Sequence, residues 1–150
     1  MKNTVIFDMN KIIYREKNLS PNEDLVDGCL PIEEMPQALN VFLLLYEQGY
    51  KIVIISSAGI QQSRDRLHYL LEVRGKSKEK IDEIFHKIDI LTMQYFGTKH
   101  SVDCWKKAME PYSNIEYIFE DGENKIEAAG QAAKELGSNP ELFISVEDFL

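Results

Sequence analysis

Short, unbroken apolar runs alternate along this chain with longer stretches in which apolar residues return every three or four positions. Val5-Ile6-Phe7 and Ile52-Val53-Ile54-Ile55 are the clearest runs, and weaker ones follow near positions 88, 115 and 142. A run without polar alternation is what a strand buried on both faces of a parallel sheet requires. Strands are therefore predicted over 3–8, 51–56, 88–92, 115–119 and 142–146.

The periodic stretches predict helices over 36–48, 60–74, 78–86, 100–112 and 124–136. Pro36 suits a first helical turn, and Gly49, Gly75 and Gly137 supply the C-terminal stops. Leu39, Val41, Phe42, Leu43, Leu44 and Leu45 cover so much of the first helix that it is expected to be well buried. Ile81, Ile84 and Phe85 share one side of the third helix, and Val102, Trp105, Ala108 and Met109 stand at helical spacing in the fourth. Residues 94–98 read as a loop. Strands alternating with helices argue for a three-layer α/β/α sandwich, a Rossmann-like five-stranded parallel sheet with right-handed crossovers. Residues 11–34 carry Pro21, Gly28 and Pro31 without a period, and read as a flap or hairpin excursion over one edge.

A length of 150 residues allows one domain with a sizeable core. The apolar share of 44% and charged share of 28% are those of a soluble globular protein. No apolar run approaches the ~20 residues needed to span a bilayer, and Asp8 interrupts the first run before it can serve as a signal peptide. A cytoplasmic location without membrane contact is expected. Cys29 and Cys104 are far apart and fit no metal spacing, so reduced thiols are expected. The formal net charge of −8 comes without a basic stripe, the densest cluster at 74–80 lying beside Glu79 and Asp82. Extended nucleic acid is disfavoured as a partner. A small phosphorylated molecule or the end of a single strand remains compatible, and the sequence leaves the oligomeric state open.

Chemistry concentrates where the predicted strands end, the edge at which open sheets keep their ligands. Asp8 closes the first strand and is a candidate nucleophile for a phosphoryl group. Ser56 closes the second ahead of a helix N-terminus, where its hydroxyl, Ser57 and nearby N–H groups suit phosphate oxygens. Lys99 precedes the fourth helix and would offset charge on a phosphate and an attacking carboxylate. Lys106 and Lys107 lie within that helix and are weaker candidates. Glu120-Asp121 closes the fourth strand. Two adjacent acids there are costly unless compensated, and with Asp8 they make an oxygen-rich set suited to Mg²⁺. Taken singly, each has an ordinary reading as a solvated acid, a helix cap or a surface lysine. His68, His86 and His100 have no metal spacing. Tyr69, Phe85 and Trp105 read as core or core edge, and Arg64 and Arg66 as a solvated helix face.

In this order the segments resemble the haloacid-dehalogenase-like phosphohydrolase superfamily. Val5-Ile6-Phe7-Asp8 resembles the start of its first motif, Ile52 through Ser56 the second, Lys99 the third, and Ile118-Phe119-Glu120-Asp121 the fourth. Within it, Met35-Pro36, Gly49-Tyr50, the Lys99 to Trp105 segment and the end of the last strand are similar to the phosphatase domain of polynucleotide kinase/phosphatases. The resemblance implies that Asp8 is nucleophile and metal ligand, and that Asn10 lends its backbone carbonyl to Mg²⁺. It implies that Ser56 binds phosphate, that Lys99 stabilises the phosphoaspartyl state, and that Asp121 with Glu120 positions the ion. It also implies a capless single domain with 11–34 in place of a cap.

One position departs from the pattern. The superfamily's phosphatases carry a second aspartate two residues after the nucleophile, as acid and then base, and this chain has Asn10. An amide cannot donate a proton in that way; losing such a group costs 10²–10⁴-fold, roughly 3–5 kcal/mol. Lys11 and Ile12 also replace small and hydroxyl residues, so three consecutive differences read as drift rather than one introduced change. Three readings follow: slow hydrolysis or a substrate with a good leaving group, an acid supplied by Glu16, Glu23 or Asp24, or a catalytically inactive relative that keeps the pocket for binding or regulation. A receiver domain, which also pairs an acceptor aspartate with a hydroxyl and a lysine, would place its paired acids on the first strand rather than the fourth.

Overall fold

The computed structural model describes residues 3–17 and 31–150. Pro21, Glu23, Asp24, Gly28 and Cys29 lie outside the described residues. Strand β1 (Thr4–Phe7) is followed by an antiparallel pair, β2 (Tyr14–Glu16) and β3 (Ile32–Glu34). The chain then runs through α1 (Ala38–Glu47), β4 (Lys51–Ser56), α2 (Ile60–Val73), α3 (Lys78–Lys87) and β5 (Asp89–Thr92). It continues through α4 (Val102–Met109), β6 (Ile115–Phe119), α5 (Glu123–Glu135) and β7 (Glu141–Phe143). The main sheet has the order β5-β4-β1-β6-β7, every neighbouring pair parallel, with β1 at its centre.

Successive strand residues point to opposite faces, and the unbroken apolar runs therefore feed two cores. Val5, Phe7, Ile52 and Ile54 pack with Phe42 and Leu45 of α1, Leu67 and Leu71 of α2, and Ile81 and Ile84 of α3. Ile6, Val53 and Ile55 face Trp105 and Met109 of α4 and Ala129, Ala132 and Ala133 of α5. Burying each large apolar side chain is worth about 1.5–3 kcal/mol, so a polar residue in β1 or β4 would be expelled by both faces at once. The alanines of α5 let it sit close to the sheet: a Cβ at Gly130 would lie 2.7 Å from Leu142 Cδ1. No helix among the described residues is long and apolar enough to cross a membrane.

The element ends depart from expectation where local hydrogen bonding overrides the apolar period. Helix α1 begins at Ala38 and not at Pro36, because Gln37 takes a left-handed conformation at φ 65°. The orphan N–H groups at its start are met partly by Glu34, whose Oε2 accepts from Leu39 N–H at 3.0 Å. Its burial is also less complete than predicted, with Leu44 at 46% exposure. Ser101 ends the predicted helical start at 100 by accepting from Cys104 N–H. Residues Met93–Tyr95 form a 3-10 turn rather than open loop, capped by the Thr92 side chain. Strand β7 is shorter than predicted, since Ser145 caps a 3-10 turn over Val146–Phe149 and draws Val146 away from the ladder. Tyr69, expected at the core edge, is 51% exposed.

Candidate active site

Asp8 follows the central strand, and its N–H continues the ladder to Phe119 O at 2.8 Å. The chain then turns tightly: the Met9 carbonyl accepts from the N–H groups of Ile12, Ile13 and Tyr14. Lys11 within that turn is left-handed at φ 66°. The turn aims Met9 N–H back at Asp8 Oδ1, 2.8 Å away. Glu120 follows the neighbouring strand in the same way, its N–H bonded to Phe143 O at 3.0 Å. Two carboxylates thus arrive side by side because their strands are neighbours in register, Phe7 opposite Phe119.

Lys99 joins them. Its Nζ lies 2.8 Å from Asp8 Oδ1 and 2.6 Å from Glu120 Oε2. The three side chains are 2%, 7% and 1% exposed, so this is a sealed ion cluster and not a surface pair. The lysine comes from the turn before α4, and that turn is pinned by Trp105, whose indole Nε1 donates to the Lys99 carbonyl at 2.7 Å. The ammonium also lies 5.5 Å from the centre of the Trp105 ring. Asp121 completes the group: Asp8, Glu120 and Asp121 each offer an oxygen within 4.8 Å of the others.

Burial pushes the Asp8 carboxyl above its ordinary value, against the opposing pull of Lys99. Burial, and next the adjacent Asp8 charge, push Glu120 up to about 8. Three carboxyl groups gather around one ammonium, which pairs directly with Asp8 and Glu120. Glu120 Oε1 is buried and has no hydrogen-bond partner, while Asp8 Oδ1 accepts from Met9 N–H and from Lys99. An unsatisfied Glu120 oxygen converging with two further carboxyl groups fits a hard divalent cation, which takes oxygen ligands. Glu120, Asp121 and Asp8 are the residues to hold one.

Ser56 sits at the same edge one strand over, by the register that pairs Phe7 with Ile54. It is buried, and its Oγ accepts from Ala58 N–H at 3.0 Å, which leaves its proton free to donate. Ser57 is exposed, with its carbonyl bonded to Gln94 Nε2 at 2.9 Å. Asn10 is exposed, and its strand-like contact is a bridge to Tyr14. Lys106 is turned to Glu135 on α5 at 3.3 Å, away from the cluster's own pairings. His86 and His100 are exposed, and His68 pairs with Glu72 at 2.6 Å.

Arg66 corrects the expectation of a solvated face. It is 14% exposed, lies 5.0 Å over the Tyr14 ring and donates to the Tyr14 hydroxyl, with Glu16 Oε1 at 3.9 Å. Helix α2 therefore grips the β2–β3 hairpin, and Arg74 repeats the grip on Glu34 at 3.0 and 3.1 Å. Arg64 remains exposed, stacked on Phe85 at 4.8 Å. The contributions of Met9 N–H, Trp105 and Arg66 were not readable from residue type; the one available signal was an arginine six residues into a helix opening at the edge.

No family model and no curated protein sequence matches the chain. Solved structures do. One is a HAD-superfamily hydrolase from Ehrlichia chaffeensis, 16% identical, with a TM-score of 0.58 over 98% of this chain and 93% of that one. The fold is haloacid-dehalogenase-like. A second, from Bacteroides vulgatus and assigned as a beta-phosphoglucomutase, is 14% identical, with a TM-score of 0.59 over 99% of this chain and 86% of that one. At these identities the likeness is one of HAD-like architecture, and the chemistry rests on the cluster itself.

Proposed function

We propose that this chain is a Mg²⁺-dependent hydrolase that takes a phosphoryl group onto Asp8 from a small phosphorylated substrate or a nucleotide or oligonucleotide end. The observation that carries the reading is Lys99, sealed between Asp8 and Glu120 at 2.8 and 2.6 Å with Asp121 beside them. A buried cation costs several kcal/mol of desolvation, and one placed on the carboxylate that ends the central strand serves charge developing there. The HAD-like neighbours support the same class.

Asp8 Oδ1 is held by Met9 N–H and Lys99, and Oδ2 is the oxygen that attacks phosphorus. Lys99 favours the ionised carboxylate, opposing the effect of burial, and offsets charge on the transferred group. Ser56 donates its free proton to a phosphoryl oxygen, with Ser57 at the mouth. Asp8, Asp121, Glu120 and the Asn10 carbonyl would hold Mg²⁺, which would supply charge neutralisation for the phosphoryl group. The hairpin stands where larger relatives carry a cap, so the domain works capless, in the manner of the polynucleotide kinase/phosphatase subgroup. A cytoplasmic setting suits it.

One feature favours a second reading. The exposed Asn10 replaces the acid such an enzyme needs, and a catalytically inactive module keeping the phosphate and metal pocket for binding or regulation would look the same. A panel of phosphorylated compounds with Mg²⁺, run on this protein, Asp8→Ala and Asn10→Asp, separates the two. Phosphate release lost in Asp8→Ala is the expected result. Release that appears only in Asn10→Asp identifies the inactive module, and no release from any variant overturns the hydrolase reading.

A further inference from the structure

The segment that carries the chain from β5 to Lys99 builds a second surface at the same edge of the sheet. Thr92 closes β5 opposite Ser56, and the 3-10 turn Met93–Tyr95 follows it. Gln94 Nε2 donates to the Ser57 carbonyl at 2.9 Å, which ties this turn to the loop after Ser56. Met93 is buried, and its carbonyl accepts from the N–H groups of Phe96 at 2.9 Å and Gly97 at 2.8 Å. The segment is thus anchored at Ser57 on one side and at the buried Lys99 on the other. On it stands Tyr95, 82% exposed and without a hydrogen-bond or ring partner among the described residues. The hydroxyls of Tyr14, Tyr46 and Tyr112, in contrast, are all engaged. Exposure alone says little, since single apolar side chains are common on surfaces. The place of this one, and its setting, say more.

We infer that Tyr95 is a specificity-determining residue, the platform for a flat aromatic ring that a spacer sets off from the substrate's phosphoryl group. This rests on the reading of Asp8 and Ser56 as the phosphoryl site. Neighbouring strands lie about 4.8 Å apart, so β5 stands about 10 Å from β1, with β4 between them. A ring bonded directly to a phosphoryl oxygen stays beside Asp8. A ring carried on a ribose or a methylene group can reach the turn after β5. A sugar without a ring system fits the turn less well, because sugars are held by side-chain hydrogen bonds. The polar side chains of this segment serve its own backbone. Thr92 Oγ1 accepts from Gln94 N–H at 3.2 Å, Thr98 Oγ1 from His100 N–H at 3.2 Å, and Ser101 Oγ from Cys104 N–H at 3.3 Å. The Gln94 amide is directed at Ser57. What the segment offers outward is the tyrosine face. Such a face stacks on any base, and a tyrosine with two side-chain torsions gives up little entropy in doing so.

The test is the affinity of four compounds in Mg²⁺, read as Kd by titration calorimetry, or as KM where phosphate is released. AMP carries a base on ribose, pyridoxine phosphate a ring on a methylene group, phenyl phosphate a ring without a spacer, and glycerol phosphate no ring. Wild type, Tyr95→Ala and Tyr95→Phe are compared. In Tyr95→Ala, AMP or pyridoxine phosphate is expected to bind about 5–150-fold more weakly, while phenyl phosphate and glycerol phosphate are unchanged. Loss for AMP marks a nucleobase as the ring, and loss for pyridoxine phosphate a ring on a single carbon. Tyr95→Phe, which keeps the ring, should retain wild-type affinity. Equal weakening of all four compounds, weakening of none, or loss confined to phenyl phosphate or glycerol phosphate overturns the inference and leaves the phosphoryl site standing. Tyr95→Phe as weak as Tyr95→Ala overturns it too. If none of the four binds wild type, the phosphoryl-site reading itself falls, and the inference with it.

Discussion

The two halves of the site live in different solvents. Asp8, Lys99 and Glu120 are sealed, with side chains no more than 7% exposed, whereas Asn10, two residues from Asp8, is exposed. In the sealed half every group is fixed by another: Met9 and Lys99 hold Asp8, Trp105 holds Lys99, and the sheet register holds Glu120. In the exposed half the side chain answers to chemistry alone. Substitution at an exposed position such as Asn10 is expected to cost the fold little, so residue 10 can change while the buried cluster behind it keeps its contacts.

The sharpest way to break this contrast is Lys99→Met. It leaves two buried carboxylates without a cation, and losing one partner of a buried pair costs about 3–5 kcal/mol. For a chain of this size that lowers Tm by on the order of 10 °C, which calorimetry in chelator would register; a shift of a degree or two would mean the cluster is not sealed.

A smaller effect is expected from pH. Glu120 is held at about 8 in the fold against 4.5 ordinarily, through burial and the Asp8 charge. The folded state therefore binds this proton more tightly than the unfolded one. The resulting stability is fully present below pH 4.5 and is lost as pH rises through about 8. In chelator the loss from Glu120 alone amounts to at most about 1.4 kcal/mol per pH unit, and Asp8, also raised, acts in the same direction. Urea unfolding across this range should show the slope in wild type and a flatter one in Glu120→Gln; matching slopes would refute it.

The smallest expected effect is that of Asn10→Asp on stability, within about 0.5 kcal/mol as for exposed positions generally. A larger change in urea midpoint would show position 10 to be structurally engaged.

What could be read in advance follows the same division. Strands β1, β4 and β6 are apolar on both faces, so their sequences carry their burial, and the residues ending them converge because the strands are neighbours. Gln37 was illegible because its left-handed turn serves the Glu34 cap and not any period. Arg66 was illegible because a guanidinium over a tyrosine ring is a tertiary contact across 52 positions. That Trp105 is buried was readable; that its N–H steadies the Lys99 turn was not, since nothing in residue spacing encodes a side chain reaching back to a carbonyl.

Trp105 also has a practical consequence. It is the single tryptophan of the chain, and it touches both the backbone and the ammonium of Lys99. Intrinsic fluorescence excited at the red edge of protein absorption thus has one origin, placed against the counter-charge of the buried Asp8 carboxylate. The protein carries a built-in optical probe of its buried ion cluster, and changes in the electrostatics around Asp8 can be followed in solution without a label.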